Sequence, residues 1–227
     1  MDIHYLEARY KEKIIIPQEA LEKLSKKVCI ATTIQYLNSL TQIKERLEQA
    51  QKQTRLLNSQ RGTHKGQLLG CMTQKNQLEN DEDLLYIGDG LFHPKAILLN
   101  NNNKIVQYNP QNQEVRILTS EDISSIKKKL QGMYIKFLTA KNIGVLISLK
   151  NGQCKPQLVK ELEKKYPEKN YYYLVDNTYD FSSLENFPFI ELYINTMCER
   201  IGLDDSLEQQ LPIINAQELI DFIEPVD

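Results

Sequence analysis

Leu84-Leu-Tyr-Ile-Gly-Asp-Gly-Leu-Phe-His-Pro94 is a short apolar run that opens into a two-glycine turn and ends on a histidine. Such a run, bounded by turn residues, reads as a buried strand, and strand ends that open into glycine loops are where open α/β sheets usually hold ligands. Just upstream, Gly66-Gln-Leu-Leu-Gly-Cys71 places a cysteine in a second glycine-flanked loop. A comparable cysteine, Cys198, follows the apolar run Phe189-Ile-Glu-Leu-Tyr-Ile-Asn195 late in the chain. The functional reading turns on whether these two thiols meet.

Outward from this stretch, strands and helices alternate. Lys27-Val-Cys-Ile-Ala-Thr-Thr33 is a β-branched run of the kind buried on both faces of a parallel sheet. Strands are also expected over 13–16, 54–58, 84–87 and 105–108, the last before the Asn109-Pro110 turn. Pro17 opens a short helix, and Leu37, Leu40, Ile43 and Leu47 mark one face of another. Further helices are expected over 72–79 and 93–99.

From Ser120, taken as the N-cap of a long amphipathic helix, the plan restarts. Strands follow over 143–149, 171–175 and 189–195, with helices over 157–166 and from Asn215 onward, and a loop carrying Arg200, Asp204 and Asp205. A weak internal repeat links the halves: an apolar strand, a short segment bearing Gln35 or Gln153, then an amphipathic helix. The expected fold is α/β, with two related small domains over 1–119 and 120–227, each a mostly parallel sheet flanked by helices.

The 227 residues are 41% hydrophobic and 26% charged with a formal net charge of -2, the composition of an ordinary soluble protein. That charge is too small to coat nucleic acid, and too balanced for disorder. The N-terminus has no signal-like apolar core and no run approaches a membrane span, so the cytoplasm is the expected compartment. Four cysteines without a Cys-x-x-Cys pair then read as reduced thiols or ligands.

Cys29, inside an apolar strand, reads as a small buried hydrophobe. Cys71 and Cys198 lie beside glycine and polar residues, where a thiolate can be reached by a metal or a substrate; soft thiolates select zinc or iron-sulfur clusters. Gly88-Asp89-Gly90 is either a plain turn or a set of backbone amides receiving an anion. His93 is a capping or packing residue or a ligand, and Tyr171 to Tyr173 read as strand packing, since no basic patch surrounds them for base stacking.

Val28-Cys-Ile-Ala-Thr-Thr-Ile-Gln35, Gly66 to Cys71, Tyr86 to Pro94 and Asn195-Thr-Met-Cys-Glu-Arg-Ile-Gly-Leu-Asp-Asp205 come in the order found in the diphthamide synthase family, which the chain resembles over nearly its whole length. Leu6-Glu-Ala-Arg-Tyr10 and Pro212-Ile-Ile-Asn-Ala-Gln-Glu218 are similar too. The resemblance implies a 2-(3-amino-3-carboxypropyl)histidine synthase, which begins diphthamide formation on translation elongation factor 2. It implies related α/β domains that each give one cysteine to a 4Fe-4S cluster, with S-adenosylmethionine bound at the open iron and cleaved to a 3-amino-3-carboxypropyl radical. By motif, Cys71 matches the middle-domain ligand and Cys198 the last-domain ligand. Gln35, Gly88, Asp89, Gly90, His93, Gln153, Arg200 and Asp204 match motifs around the cofactor.

The match starts at the family's second domain. The third cysteine is therefore expected from a separate chain supplying the first domain, or from a homodimer. Cys154 is an internal substitute, against the plainer reading of an ordinary loop thiol. Met72-Thr-Gln-Lys75 also departs from the small acidic and polar run expected after Cys71. The alternative function is a noncatalytic scaffold or electron-relay partner of a separate synthase subunit. A structural zinc protein is disfavoured by the lack of closely spaced ligands. No membrane and no direct nucleic-acid partner is expected.

Overall fold

The computed structural model describes residues 4, 6–58, 63–69, 78–150, 153, 155–205 and 211–223, without the side chains of Asp204 and Asp205. The chain divides into two compact units, Met1–Ser124 and Ser125–Asp227.

In the first unit the sheet contains β1 (Lys27–Thr32), β2 (Gln53–Leu56), β3 (Glu82–Ile87), β4 (Ile105–Asn109) and β5 (Glu114–Leu118). Their order is β2-β1-β3-β4-β5, parallel throughout except for the antiparallel β4–β5 pair. The helices are α1 (Gln18–Lys23), α2 (Leu40–Gln49) entered through the 3-10 segment Ile34–Ser39, and α3 (Phe92–Asn100).

The apolar runs at 28–31 and 84–87 occupy two of the three inner strands because both faces of the sheet are covered. Val28, Ile30, Leu85, Ile87 and Val106 share one core with Leu21, Leu40, Ile43 and Leu47 of the helices. Glu82 and Asp83 enter the same buried strand only with partners: Arg55 pairs with Glu82, and Lys104 lies 3.0 Å from Asp83. Cys29 is wholly buried, and burial pushes its thiol up to about 12, so it stays protonated and inert.

Three expectations need correction here. Residues 13–16 form no strand; Ile14 and Ile16 instead bury themselves as an unpaired segment against the core. The strand at 105–108 is not the last of its half, because the chain turns through Gln113, at φ 61, and returns as β5. That edge strand is half exposed and lacks the continuous apolar run by which buried strands announce themselves. The long helix is not capped by Ser120: Asp122 accepts a hydrogen bond from the Thr119 amide at 2.7 Å, and a 3-10 turn, Ser120–Ile123, precedes α4 (Ser124–Thr139). Of the helix expected over 72–79, residues 72–77 lie outside the described residues, and Leu78 and Glu79 are not helical.

The second unit holds an all-parallel sheet of β6 (Asn142–Ser148), β7 (Asn170–Asp176), β8 (Leu192–Asn195) and β9 (Ile213–Asn215), ordered β7-β6-β8-β9. With α4 it carries α5 (Gln157–Lys165) and α6 (Ala216–Ile223), a 3-10 turn at Phe181–Asn186 and a single π-helical turn at Ile201–Asp205. Asn215 ends a strand rather than simply capping the last helix. The three residues of β9 are too few to show a period in the sequence. The tyrosines of β7 pack at the sheet edge: Tyr171 donates to Leu162 O at 3.3 Å, and Tyr172 meets Phe189 edge-on. Among the described residues no helix is long and apolar enough to cross a membrane.

Candidate functional site

In the first unit the candidate residues gather at the carboxyl ends of β1 and β3. These strands run side by side with Thr32 opposite Ile87, and the Thr32 hydroxyl donates to Ile87 O at 2.6 Å. Gln35 follows β1, its side chain exposed; its carbonyl accepts from the Tyr10 amide at 2.7 Å. Gly88, Asp89 and Gly90 follow β3. Gly88 donates to Tyr108 O at 3.0 Å, and the Gln107 amide nitrogen donates to Gly88 O at 3.0 Å and to Gly90 O at 2.9 Å.

Both glycines are required. A Cβ at Gly88 would lie 2.6 Å from the buried Tyr86 hydroxyl, and Gly90 has φ 69. That hydroxyl lies 3.4 Å from His93 Nδ1, which seats the histidine in the first turn of α3. Burial raises the Tyr86 phenol above its ordinary range, so it is a neutral hydrogen-bonding group. Asp89 is exposed.

A loop from β2 reaches the same edge through an isolated parallel bridge between Thr32 and Gln67. Gln67 is buried and accepts from the His64 amide at 3.2 Å. His64 Nε2 lies 2.7 Å from Glu7, and Arg9 Nη1 donates to Asn38 at 2.7 Å. Hydrogen bonds from His64 and Arg9 hold the Glu7 carboxyl below the usual range. The loop that leads toward Gly70 is thus tied to the N-terminal segment. Cys71 itself lies outside the described residues.

In the second unit Cys198 is half-buried, three residues beyond β8. Two buried asparagines at neighbouring strand ends fix its backbone. Asn195 Nδ2 donates to Cys198 O at 2.8 Å and to Asn215 Oδ1 at 2.6 Å; Asn215 Nδ2 donates to Glu199 O at 2.7 Å and to Glu218 Oε1 at 3.0 Å. Glu199, the next residue after Cys198, is buried and pairs with Lys155 at 2.9 Å. Lys155 lies just past Gln153, so the loop after β6 and the Cys198 loop are tied together. Arg200 is exposed, Asp204 has its backbone in the π-helical turn, and Cys154 lies outside the described residues.

The diphthamide synthesis protein profile matches residues 2–224. The chain belongs to this family. A relative named 2-(3-amino-3-carboxypropyl)histidine synthase, from Pyrococcus horikoshii, is 29% identical over 204 residues, covering 88% of this chain and 58% of that protein. Subunit 1 of the synthase of that name from Dictyostelium discoideum is 25% identical, over 86% of this chain and 43% of its own length. The crystal structure of Pyrococcus horikoshii Dph2 with a 4Fe-4S cluster aligns with a TM-score of 0.76 at 28% identity, covering 90% of this chain and 62% of that one. The chain therefore spans about half the length of the curated relatives it matches.

For a diphthamide family protein the implied group is an iron-sulfur cluster, and the donor chemistry at Cys198 fits one. It offers a soft, half-exposed thiol on a backbone held by buried hydrogen bonds. Among the described residues no three His, Cys, Asp or Glu side chains group to hold a metal. The reading of the sequence did not single out His64, Gln67, Asn195, Asn215 or the Lys155–Glu199 pair, and took Glu7, Glu199 and Glu218 only as letters within family motifs. The one available signal was the polar letters at the ends of apolar runs.

Glu218 supplies a measurable consequence. Its Oε2 is buried without a partner, and that burial, with Glu199 and Asp221 nearby, raises its carboxyl from 4.5 to about 7. The folded chain binds a proton there that the unfolded chain has released, so this stabilisation is full below about pH 4.5 and is lost as pH rises through about 7. Relative to Glu218→Gln, the wild type is expected to lose about 3 kcal/mol of stability between pH 5 and pH 8. Urea midpoints of both chains at the two pH values measure it; parallel profiles would refute it.

Proposed function

We propose that this chain is part of a 2-(3-amino-3-carboxypropyl)histidine synthase. It transfers the 3-amino-3-carboxypropyl group of S-adenosylmethionine to a histidine of translation elongation factor 2, the first step of diphthamide biosynthesis, in the cytoplasm. The observation that carries this reading is the likeness, over 90% of the chain, to a Dph2 structure that contains a 4Fe-4S cluster. In this reading residues 1–119 correspond to the family's middle domain and 120–227 to its last.

Cys71 and Cys198 act as cluster ligands, with a third thiolate supplied by the family's first domain. Relatives named as a subunit 1 support a system of more than one chain. When bound, such a cluster supplies the electron that breaks the sulfonium's bond to its amino-acid arm. The protein's own work is positional. Asn195, Asn215 and the Lys155–Glu199 pair hold the Cys198 loop, while Glu7, Arg9 and His64 hold the loop that runs toward Gly70. Gln35, Gly88, Asp89, Gly90 and His93 on the first unit, and Gln153, Arg200 and Asp204 on the second, bind and orient the cofactor.

The test is anaerobic reconstitution with iron and sulfide, alone and with a chain carrying the family's first domain, read by absorbance and electron paramagnetic resonance. A 4Fe-4S signal that needs the partner, followed by modification of elongation factor 2, is the expected result. No cluster in either condition would overturn the catalytic reading in favour of a noncatalytic supporting subunit.

A further inference from the structure

The sheet of the second unit ends on β7, which pairs with β6 along one side only. Asn170 N donates to Lys141 O, and Asp176 O accepts from Leu149 N. Backbone groups alternate along a strand, so Asn170, Tyr172, Leu174 and Asp176 turn theirs to β6, while Tyr171, Tyr173 and Val175 turn theirs outward. Among the described residues nothing pairs with those outward groups.

The other sheet edges among the described residues carry devices that keep an edge single. β2 has four residues with a charged Arg55, β5 carries Glu114 and Arg116, and β9 has three buried residues. β7 runs for seven residues with no proline, no bulge against β6 and no charge before Asp176. Its apolar side chains reach solvent: Tyr173 is 44% and Val175 54% exposed, and Phe189, edge-on to Tyr172, is 47% exposed. A groove of about 640 Å³ lies beside the strand, lined by Tyr172, Leu174, Tyr179, Phe187 and Phe189. A long, flat, apolar edge is a template for another strand.

The charges around β7 indicate which strand fits. Lys164 and Lys165 stand ahead of it at the end of α5, where Glu163 is taken up by the Tyr173 hydroxyl. Behind it stand the exposed Asp176 and Asp180, with no basic residue until Arg200. Two copies of β7 set antiparallel bring the basic end of each toward the acidic end of the other.

Centred on Tyr173, such a pairing sets Tyr173 against itself, Tyr171 against Val175, Tyr172 against Leu174 and Asp176 against Asn170. Every outward backbone group then has a partner, and the cross-strand pairs are aromatic with aromatic or aliphatic. A centre at Tyr172 would set Asp176 against Glu168, two like charges, and a centre at Leu174 would leave Tyr171 outside the paired strands. We propose that β7 is a self-association edge, at which two copies of this chain join across a two-fold axis through Tyr173 into one continuous sheet. The inference rests on the sheet edge alone and does not depend on the synthase reading.

The test is sedimentation of the 227-residue chain over a range of micromolar concentrations, with circular dichroism of each variant as the check on folding. The wild type is expected to form a dimer. Val175→Lys, at an exposed side chain, is expected to keep the wild-type spectrum and to weaken the dimer about tenfold or more, because a symmetric pair takes the added charge twice. Ile135→Lys, at an exposed position on α4, is expected to leave association unchanged. Under mild oxidation, Tyr173→Cys is expected to give a disulfide joining the two substituted positions, since only an axis at this residue places it beside its own copy.

A chain that stays monomeric at every concentration would overturn the inference and leave the edge to a strand of another protein. A dimer that Val175→Lys leaves as tight as the wild type, or one whose Tyr173→Cys variant links only through native cysteines, would overturn it as well.

Discussion

If the proposed function holds, Cys198→Ala is expected to abolish the 4Fe-4S signal obtained on reconstitution, while leaving the fold intact. The thiol is half-buried, and its side chain contributes none of the hydrogen bonds that fix the loop; those run from Asn195 and Asn215 to backbone carbonyls. Losing it should therefore change stability by less than about 1 kcal/mol, whereas losing a thiolate from a three-cysteine cluster removes a bond that no neighbour replaces. Cys71→Ala should behave alike. Cys29→Ala is the contrast. Its thiol is sealed in the sheet and protonated, so the variant should lose about 1 kcal/mol to the cavity and keep the cluster. Iron and sulfide content, absorbance and the unfolding midpoint of each variant decide the matter. A full cluster in Cys198→Ala would remove this cysteine from the ligand set.

Asn215→Leu is expected to cost on the order of 3–5 kcal/mol, a large part of the stability of an ordinary domain. The residue is 1% exposed and makes three buried hydrogen bonds, to Asn195, to the Glu199 carbonyl and to Glu218. Leucine has the same number of side-chain heavy atoms and leaves no cavity, so the loss would come from unpaired groups. Glu218 would lose its Asn215 partner as well as lacking one on Oε2, and the Cys198 loop would lose half of its anchorage. Denaturant unfolding at pH 7 measures the cost, and cluster yield after reconstitution should fall with it. A loss below about 1 kcal/mol would show that the asparagine pair is not what holds this loop.

How much could be read beforehand differs from element to element. The strands β1 and β3 were legible because both faces are covered, and continuous burial writes itself as a continuous apolar run. The Gly88–Gly90 turn was legible for a related reason, since a positive φ and a close approach to Tyr86 are demands that glycine meets best. Edge strands leave weaker traces. β5 alternates imperfectly over five residues and β9 has three, so neither shows a period long enough to separate it from a loop.

The sequence by itself therefore determined the α/β class, the inner strands of both sheets and the family, because these follow from local hydrophobic pattern and from the order of short motifs. Tertiary structure alone decided which polar residues meet. Glu7 reaches His64 across 57 positions, Asn195 reaches Asn215 across 20, and Lys155 reaches Glu199 across 44. No local period connects such residues. They become neighbours only when parallel pairing places the carboxyl ends of sequentially distant strands side by side, and a hydrogen bond depends on a separation of about 3 Å that strand order and register set.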